Sequence, residues 1–267
     1  MQLHGLTSCS ARERESGLDM VGGLADHRVL RCDARAHGAS TGRPVAADHT
    51  WPQLAEDLLT VLETMLPGEA VHAVGPSMGA ATLLHAALAE PERFASLTLL
   101  VPPTAWDTRA AQAELYRRTA AVAESRGVEG FVRMRAQAEP PPALAGRPRR
   151  DEPAVAAELL GPVLRGAADS DLPAPERIAT LQIPTLILAW TEDPAHPVAT
   201  AERLHELIGG SRLGVAATPE QLDAWPTRVA EHVAAHDPAS PPTSDGSSAA
   251  GGFLHSPAGG GSTAPRG

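Results

Sequence analysis

The sequence contains no lysine, because all 22 of its basic residues are arginine. This absence excludes mechanisms that depend on lysine, such as P-loop phosphate binding or Schiff-base catalysis. Aromatic residues make up only 3% of the chain, and 32 acidic residues give it a formal net charge of −10. Nucleic-acid binding needs clustered cations and stacking side chains, so we expect no nucleic-acid partner.

Cysteines and long apolar runs are also scarce. Cys9 and Cys32 are the only two cysteines, too few for a disulfide framework or a zinc site with CxxC spacing. No stretch of 18 apolar residues occurs, and the first 16 residues contain no apolar run of signal-peptide length. These absences predict a soluble cytoplasmic protein with no membrane partner.

The last part of the chain differs in composition from the rest. Residues 237–267 include 7 Gly, 5 Pro and 6 Ser, and their only large apolar side chains are Phe253 and Leu254. Such a segment cannot offset its ordering entropy by burial, which predicts a disordered tail. We expect residues 1–236 to form one domain.

Within that domain, short apolar runs alternate with helical patterns. Near-continuous apolar runs are typical of strands that are covered on both faces of a parallel sheet. The predicted strands are 27–33, 70–75, 95–101, 184–190 and 212–216, and the main helices are 51–66, 80–89, 199–208 and 219–235. This alternation predicts an α/β fold with a mostly parallel sheet and flanking helices.

Residues 102–180 interrupt the alternation. They contain two helical patterns, at 108–126 and 154–165, around the proline-rich sequence Glu139-Pro-Pro-Pro142. The segment is about twice as long as an ordinary crossover, so we expect a helical cap that lies over one edge of the sheet.

Gly75-Pro76-Ser77-Met78-Gly79 is the motif that carries chemistry. It lies where a predicted strand ends and a helix begins, and its glycines allow the two elements to approach closely. Such a turn strains the serine backbone and exposes the Ser77 hydroxyl above the sheet, at a helix N-terminus that favours negative charge. An ordinary turn rich in small residues is the alternative interpretation.

With this motif in place, the sequence resembles the α/β-hydrolase family of serine hydrolases over about residues 3–235. The matching motifs occur in the order that the family uses, with Ala36 in place of a usual glycine; they are Leu3-His4-Gly5-Leu6, Asp33-Ala-Arg-Ala-His-Gly-Ala-Ser40, Gly75 to Gly79, and Leu186 to Pro194. The resemblance implies a Ser77 nucleophile, a triad acid at Asp193, and an oxyanion hole formed by the backbone N–H groups of Leu6 and Met78. It also implies that His4 and His37 have structural roles.

The family's catalytic histidine is missing from its usual place. The chain has no histidine between Arg212 and Pro226. His232 follows about 20 Å along the predicted last helix, too far for a 3 Å hydrogen bond to Ser77. His196, three residues after Asp193, is the best substitute because it should lie on the rim where the strands end. Alternatively, His196 simply precedes the helix that Pro197 begins.

The triad acid has alternatives as well. Glu192 and Asp193 end the same strand, but adjacent residues on an extended chain point in opposite directions, so only one of them can face the site. The family position favours Asp193, and Asp107, after the preceding strand, is the second choice.

The start of the sequence departs from the family too. The central strand that ends in the His-Gly turn is represented only by Met1, Gln2 and Leu3. A lost central strand would leave its neighbours nearly 10 Å apart, so we expect that the natural start lies upstream.

These observations favour a serine hydrolase that acts on a small apolar ester, lactone or related acyl compound. The alternative is a non-catalytic binding protein of the same fold that has lost its histidine. A nucleotide or redox enzyme is disfavoured because no GxGxxG follows a predicted strand, and no metal-ligand spacing is present. We expect no cofactor, and the sequence does not predict an oligomeric state.

Overall fold

The computed structural model describes residues 1–237. Its centre is a parallel sheet of four strands in the order β1-β2-β3-β4. The strands are β1 (Val71–Pro76), β2 (Phe94–Leu100), β3 (Thr185–Trp190) and β4 (Arg212–Ala216). All six residues of β3 are buried, as expected for a strand that is covered on both faces. The predicted α/β fold class is confirmed.

Helices connect the strands and cover both faces of the sheet. They are α1 (Ser10–Glu15), α2 (Trp51–Met65), α3 (Met78–Ala89), α4 (Arg109–Arg135), α5 (Ala157–Ala168), α6 (Pro175–Ile178), α7 (Val198–Leu207), α8 (Pro219–Asp223) and α9 (Trp225–Ala235). The apolar faces of α2, α3 and α7 pack on one side of the sheet, and α9 packs on the other. The carboxyl ends of the parallel strands therefore share one open edge, where such sheets place their sites.

The predicted strand at 27–33 is wrong. Only Arg31 in this segment makes a β-bridge, a single parallel one to Gln2. A ladder needs an extended neighbour, and the neighbour here is limited to Met1, Gln2 and Leu3. Gln2 also bridges Val74 of β1, so these three residues occupy the space between the two segments.

Two helices differ from the predicted ranges. The pattern at 219–235 forms two helices, because Pro226 lacks the N–H that a continuous helix would need and stands instead in the first turn of α9. The pattern at 108–126 continues to Arg135 in α4, across Gly127, whose φ of 65° marks a kink. The observed helix is therefore longer than the predicted one, because the chain continues as a helix beyond the kink.

Residues 102–180 lie between β2 and β3 and contain α4, α5 and α6. Helices α4 and α5 pack against each other, and the side chain of Arg109 at the start of α4 holds the end of α5. Arg109 is buried, donates hydrogen bonds to Ser170 O and Ala167 O, and lies over the Trp51 ring. The predicted disordered tail lies outside the described residues except for Asp237.

None of the helices in residues 1–237 combines the length and apolar character that a membrane crossing needs.

Candidate active site

Ser77 lies at the turn from β1 into α3, with a backbone conformation that side chains rarely adopt. Its φ is 52° and its ψ is −111°. A Cβ on Gly75 would lie only 2.6 Å from the carbonyl carbon of Gly79, so the strand and helix approach too closely for any larger residue at that position. This geometry is that of a nucleophile elbow, in which the strained turn exposes the serine hydroxyl.

His196 forms a hydrogen bond to the Ser77 hydroxyl. The distance from His196 Nε2 to Ser77 Oγ is 2.7 Å, within the range needed for direct proton transfer. His196 reaches this position through the loop that follows β3. The Ala195 N–H donates to the Asp193 carboxylate, and the Thr104 N–H donates to Ala195 O. Both backbone groups of Ala195, the residue before His196, are therefore hydrogen-bonded.

Asp193 orients His196 from the other side of the imidazole ring. His196 Nδ1 lies 2.7 Å from Asp193 Oδ2. This contact implies that the Nδ1–H donates to the carboxylate and leaves Nε2 free to accept the Ser77 proton. The Asp193 and His196 side chains are only 14% and 18% exposed, which limits competition from water.

The Asp193 carboxylate is kept ionised by its hydrogen bonds. Burial alone would raise its pKa, but the hydrogen bond from His196 and the bonds from the Trp190 indole N–H and the Ala195 N–H lower the pKa to about 2. The indole nitrogen of Trp190 lies 2.8 Å from the same oxygen that faces His196. Sequence reasoning missed Trp190, although its place at the end of β3, three residues before Asp193, was a usable signal.

The loop of residues 5–8 begins beside the elbow. A Cβ on Gly5, the residue before Leu6, would lie 3.9 Å from Ser77 Cβ. Within residues 1–237, neither the Leu6 N–H nor the Met78 N–H has a hydrogen-bond acceptor. Both donors are therefore available to bind an oxyanion.

A buried acid, which sequence reasoning also missed, holds this loop. Glu13 of α1 accepts a hydrogen bond from the Gly5 N–H at 3.3 Å. Burial raises the Glu13 pKa, while bonds from Ser8 and Gly5 lower it in part. Nothing in the Glu13 sequence context distinguishes it from a surface residue of a charged helix, so no pattern could have found it.

Three other histidines form hydrogen bonds with groups other than the Ser77 hydroxyl. His4 Nε2 accepts the Ala34 N–H, and His37 Nε2 accepts the Thr7 N–H. Burial and the neighbouring His4 lower the His37 pKa to about 3, so this ring stays neutral. His232 lies on α9, where it contacts Arg212 and Leu97 O.

The remaining candidates contribute nothing to this cluster. Glu192 takes a positive φ of 60°, and Asp193 takes the inward position beside His196. In the described part of the chain, Asp107 forms no hydrogen bond or ion pair with Ser77, Asp193 or His196. Two pockets in residues 1–237 are not lined by Ser77, Asp193 or His196, although Met78 and Gly79 of the elbow line one of them. No group of three or more His, Cys, Asp or Glu side chains in the same residues could hold a metal ion.

The site combines a serine at a nucleophile elbow, a histidine hydrogen-bonded to it and to an acid, and two backbone N–H groups without an acceptor. On an α/β sheet, this combination is typical of hydrolases. Comparison with known proteins agrees. The family model of the alpha/beta hydrolase fold matches residues 2–222, so the chain belongs to that family.

Solved structures of hydrolases share the fold. A hydrolase from Pseudomonas aeruginosa PA01 is 25% identical with a TM-score of 0.66, over 87% of this chain and 88% of that one. A thermophilic esterase from Thermogutta terrifontis is 22% identical with a TM-score of 0.67, over 87% and 86% of the two chains. An enol-lactonase from Burkholderia xenovorans LB400 is 20% identical with a TM-score of 0.68, over 87% and 90%. These matches agree with the α/β-hydrolase fold that the family model shows.

Proposed function

We propose that this protein is a serine hydrolase that cleaves a small, largely apolar ester, lactone or related acyl compound. The observation that carries the proposal is the continuous hydrogen-bonded chain from Ser77 Oγ through His196 to Asp193, with 2.7 Å at each contact. The names of two structural neighbours, an esterase and an enol-lactonase, support an acyl–oxygen bond as the target.

In the proposed reaction, Ser77 Oγ attacks the substrate carbonyl carbon while His196 Nε2 takes the hydroxyl proton. The carbonyl oxygen becomes an oxyanion and accepts hydrogen bonds from the N–H groups of Leu6 and Met78. The bond to the leaving alcohol then breaks, and His196 gives its proton to that alcohol. Water, deprotonated by His196, hydrolyses the acyl-serine and regenerates the enzyme.

Residues 102–180 act as a cap in this proposal. Their apolar side chains Phe131 and Val155 pack with Leu6 of the oxyanion loop in one cluster. A cap anchored on this loop excludes water from the oxyanion and gives the acyl chain an apolar surface, which favours small hydrophobic acyl groups.

The alternative, a binding protein without a base, was motivated by the missing histidine after β4. The hydrogen bond between His196 and Ser77, at 2.7 Å, supports the hydrolase over that alternative.

The test is hydrolysis of a series of 4-nitrophenyl esters from acetate to octanoate, together with a five- or six-membered lactone. We expect turnover in the wild type and a loss in kcat of roughly 10⁴-fold or more in Ser77→Ala, a substitution that removes only one oxygen atom. The control is Ser125→Ala, a hydroxyl bonded only within α4, which should match the wild type. Turnover that is the same in Ser77→Ala and the wild type would overturn the proposal.

A further inference from the structure

Residues 131–150 are unusually basic for this acidic chain. They contain five arginines and one acidic residue, although the whole chain has 22 arginines and 32 acids. The five are Arg133, Arg135, Arg147, Arg149 and Arg150. A local excess of cations in an acidic protein concentrates anions at one place on the surface.

Most of these arginines are already engaged. Arg149 binds Asp151 through two oxygens at 2.8 and 2.9 Å and also donates to Ala138 O. Arg133 pairs with Glu129 one turn earlier on α4, at 3.7 Å. Their guanidinium groups therefore have partners within the chain.

Arg135 differs from its neighbours. In the described residues, its guanidinium donates no hydrogen bond, and its nearest carboxylate is Asp151, with 3.9 Å between Arg135 Nε and Asp151 Oδ1. That carboxylate is already held by both contacts from Arg149. The planar donor fork of Arg135 is thus left available for another oxyanion.

The structure links Arg135 to the oxyanion side of the candidate active site. Phe131, one turn earlier on the same face of α4, is buried in the cluster that includes Leu6, and Arg135 Cζ lies 5.9 Å from the centroid of the Phe131 ring. The segment that follows Asp151 is bonded to the same loop, because the Ala154 N–H donates to Thr7 O at 2.7 Å.

Arg135 also interacts with the acid side of the site. Asp193 and Tyr116 are among the groups whose charges raise the pKa of the Arg135 guanidinium, after Asp151. The surrounding chain desolvates the guanidinium and lowers its pKa, while Asp151 raises it, yet 49% of the side-chain surface is accessible. Arg135 is therefore partly surrounded by protein and still reachable from solvent.

We propose that Arg135 is a specificity-determining residue that binds a carboxylate on the acyl substrate, at the end away from the bond that Ser77 cleaves. The geometry points to an ester or lactone that carries a free carboxylate, with an apolar chain between its two ends. This inference rests on the proposed hydrolase function and refines its substrate class.

The test compares two esters of equal chain length. One is 4-nitrophenyl pentanoate, which is neutral, and the other is the mono-4-nitrophenyl ester of glutaric acid, which ends in a carboxylate. We measure the ratio of kcat/KM for the anionic ester to kcat/KM for the neutral ester. Because an arginine–carboxylate pair is charge-assisted and bidentate, Arg135→Gln should lower this ratio at least 10-fold, mainly through KM.

Two further variants show whether the charge and its position matter. Arg135→Lys should lower the ratio of the two kcat/KM values less than Arg135→Gln does, since lysine keeps the positive charge but lacks the planar pair of guanidinium donors. Arg133→Ala is the matched control on the same helix, with a side chain that is 65% exposed, and it should leave both kcat/KM values within two-fold. A ratio unchanged in Arg135→Gln, or an equal change in Arg133→Ala, would overturn the inference.

A binding measurement separates this inference from the hydrolase proposal. In Ser77→Ala, we measure calorimetric binding of monoethyl glutarate, with and without Arg135→Gln. At least a 10-fold weakening by Arg135→Gln supports the carboxylate site even if no ester is hydrolysed. Absent binding, or binding that Arg135→Gln does not change, overturns the carboxylate site even if Ser77 hydrolyses neutral esters.

Discussion

His196 and His232 lie at opposite ends of the same parallel sheet and differ in what surrounds them. His196 follows the carboxyl end of β3, where a hydroxyl and a carboxylate occupy its two ring nitrogens. His232 lies near the amino ends of β3 and β4, where its Nδ1 accepts from Arg212 at 3.1 Å and its Nε2 donates to Leu97 O at 3.2 Å.

The difference explains why only one of the two histidines can act as a base. A histidine that is oriented by a carboxylate and accepts a hydrogen bond from a hydroxyl can take the hydroxyl proton, because the carboxylate stabilises the imidazolium that forms. Burial and the nearby charges of His236 and Arg212 lower the His232 pKa to about 4, which keeps that ring neutral. Chemical partners at the strand ends, rather than order along the chain, support His196 as the base of the proposed reaction.

The largest expected effect comes from removing each histidine in turn. His196→Ala should lower kcat/KM for a 4-nitrophenyl ester roughly 10⁴-fold or more, because it removes the proton acceptor of Ser77. His232→Ala should leave kcat/KM within about three-fold and lower stability by about 1–3 kcal/mol, because Leu97 O and Arg212 lose a partner. Steady-state kinetics and thermal unfolding measure the two effects, and the reverse pattern would break the comparison.

The next effect sharpens the role of the acid. Asp193→Asn keeps the shape of the side chain but removes the charge that orients His196, so we expect a loss in kcat of roughly 10³–10⁴-fold. Glu192→Gln, the adjacent substitution that removes the same charge, should change kcat by less than two-fold. Equal losses in both variants would mean that the two carboxylates share the role.

The pH dependence of stability tests the environment of His232. The folded-state pKa of His232 lies at about 4, below the ordinary value of 6.5. The stability that this neutral ring contributes is therefore present above pH 6.5 and is lost as the pH falls toward 4.

Between pH 7 and pH 5, His232 should account for a loss of about 2 kcal/mol in the free energy of unfolding. Urea unfolding at the two pH values measures this loss. His232→Gln should show a loss smaller by about that amount, with His205→Gln as the exposed-helix control. An identical loss in the wild type and in His232→Gln would contradict the assignment.

The smallest expected effect concerns the indole that supports the acid. Trp190→Phe removes the N–H that Asp193 Oδ2 accepts at 2.8 Å while keeping an aromatic ring near Trp225. One hydrogen bond to a charged group is worth about 1.5–3 kcal/mol, only part of which reaches the transition state, so we expect kcat to fall about 3–10-fold. A loss as large as that of Asp193→Asn would indicate that the ring does more than support the acid.

Sequence patterns predicted most of the sheet and the elbow, because burial and tight turns leave local signals. The apolar runs at 95–101 and 184–190 became β2 and β3 within one residue at each end. The segment at 27–33 failed because a strand exists only with a paired neighbour, and the run of residues itself contains no information about that neighbour.

The candidate site was only partly predictable for the same reason. Ser77 and Asp193 follow strand ends and match a family pattern, whereas the sequence favours His196 only by its nearness to Asp193 and contains no information about the loop. Trp190 lies three residues before Asp193 and had a local signal, whereas the contact of Glu13 with Gly5 and the packing of Phe131 beside Leu6 depend on the three-dimensional fold. No local period or spacing encodes such meetings.

The most direct test of the central assignment is covalent labelling of Ser77 by a fluorophosphonate, followed by intact mass spectrometry of the wild type, His196→Ala and His232→Ala. We predict one adduct in the wild type, located at Ser77 by peptide mapping. The labelling rate should be nearly the same in His232→Ala and at least about 10³-fold slower in His196→Ala. Labelling of His196→Ala at the wild-type rate would contradict the account.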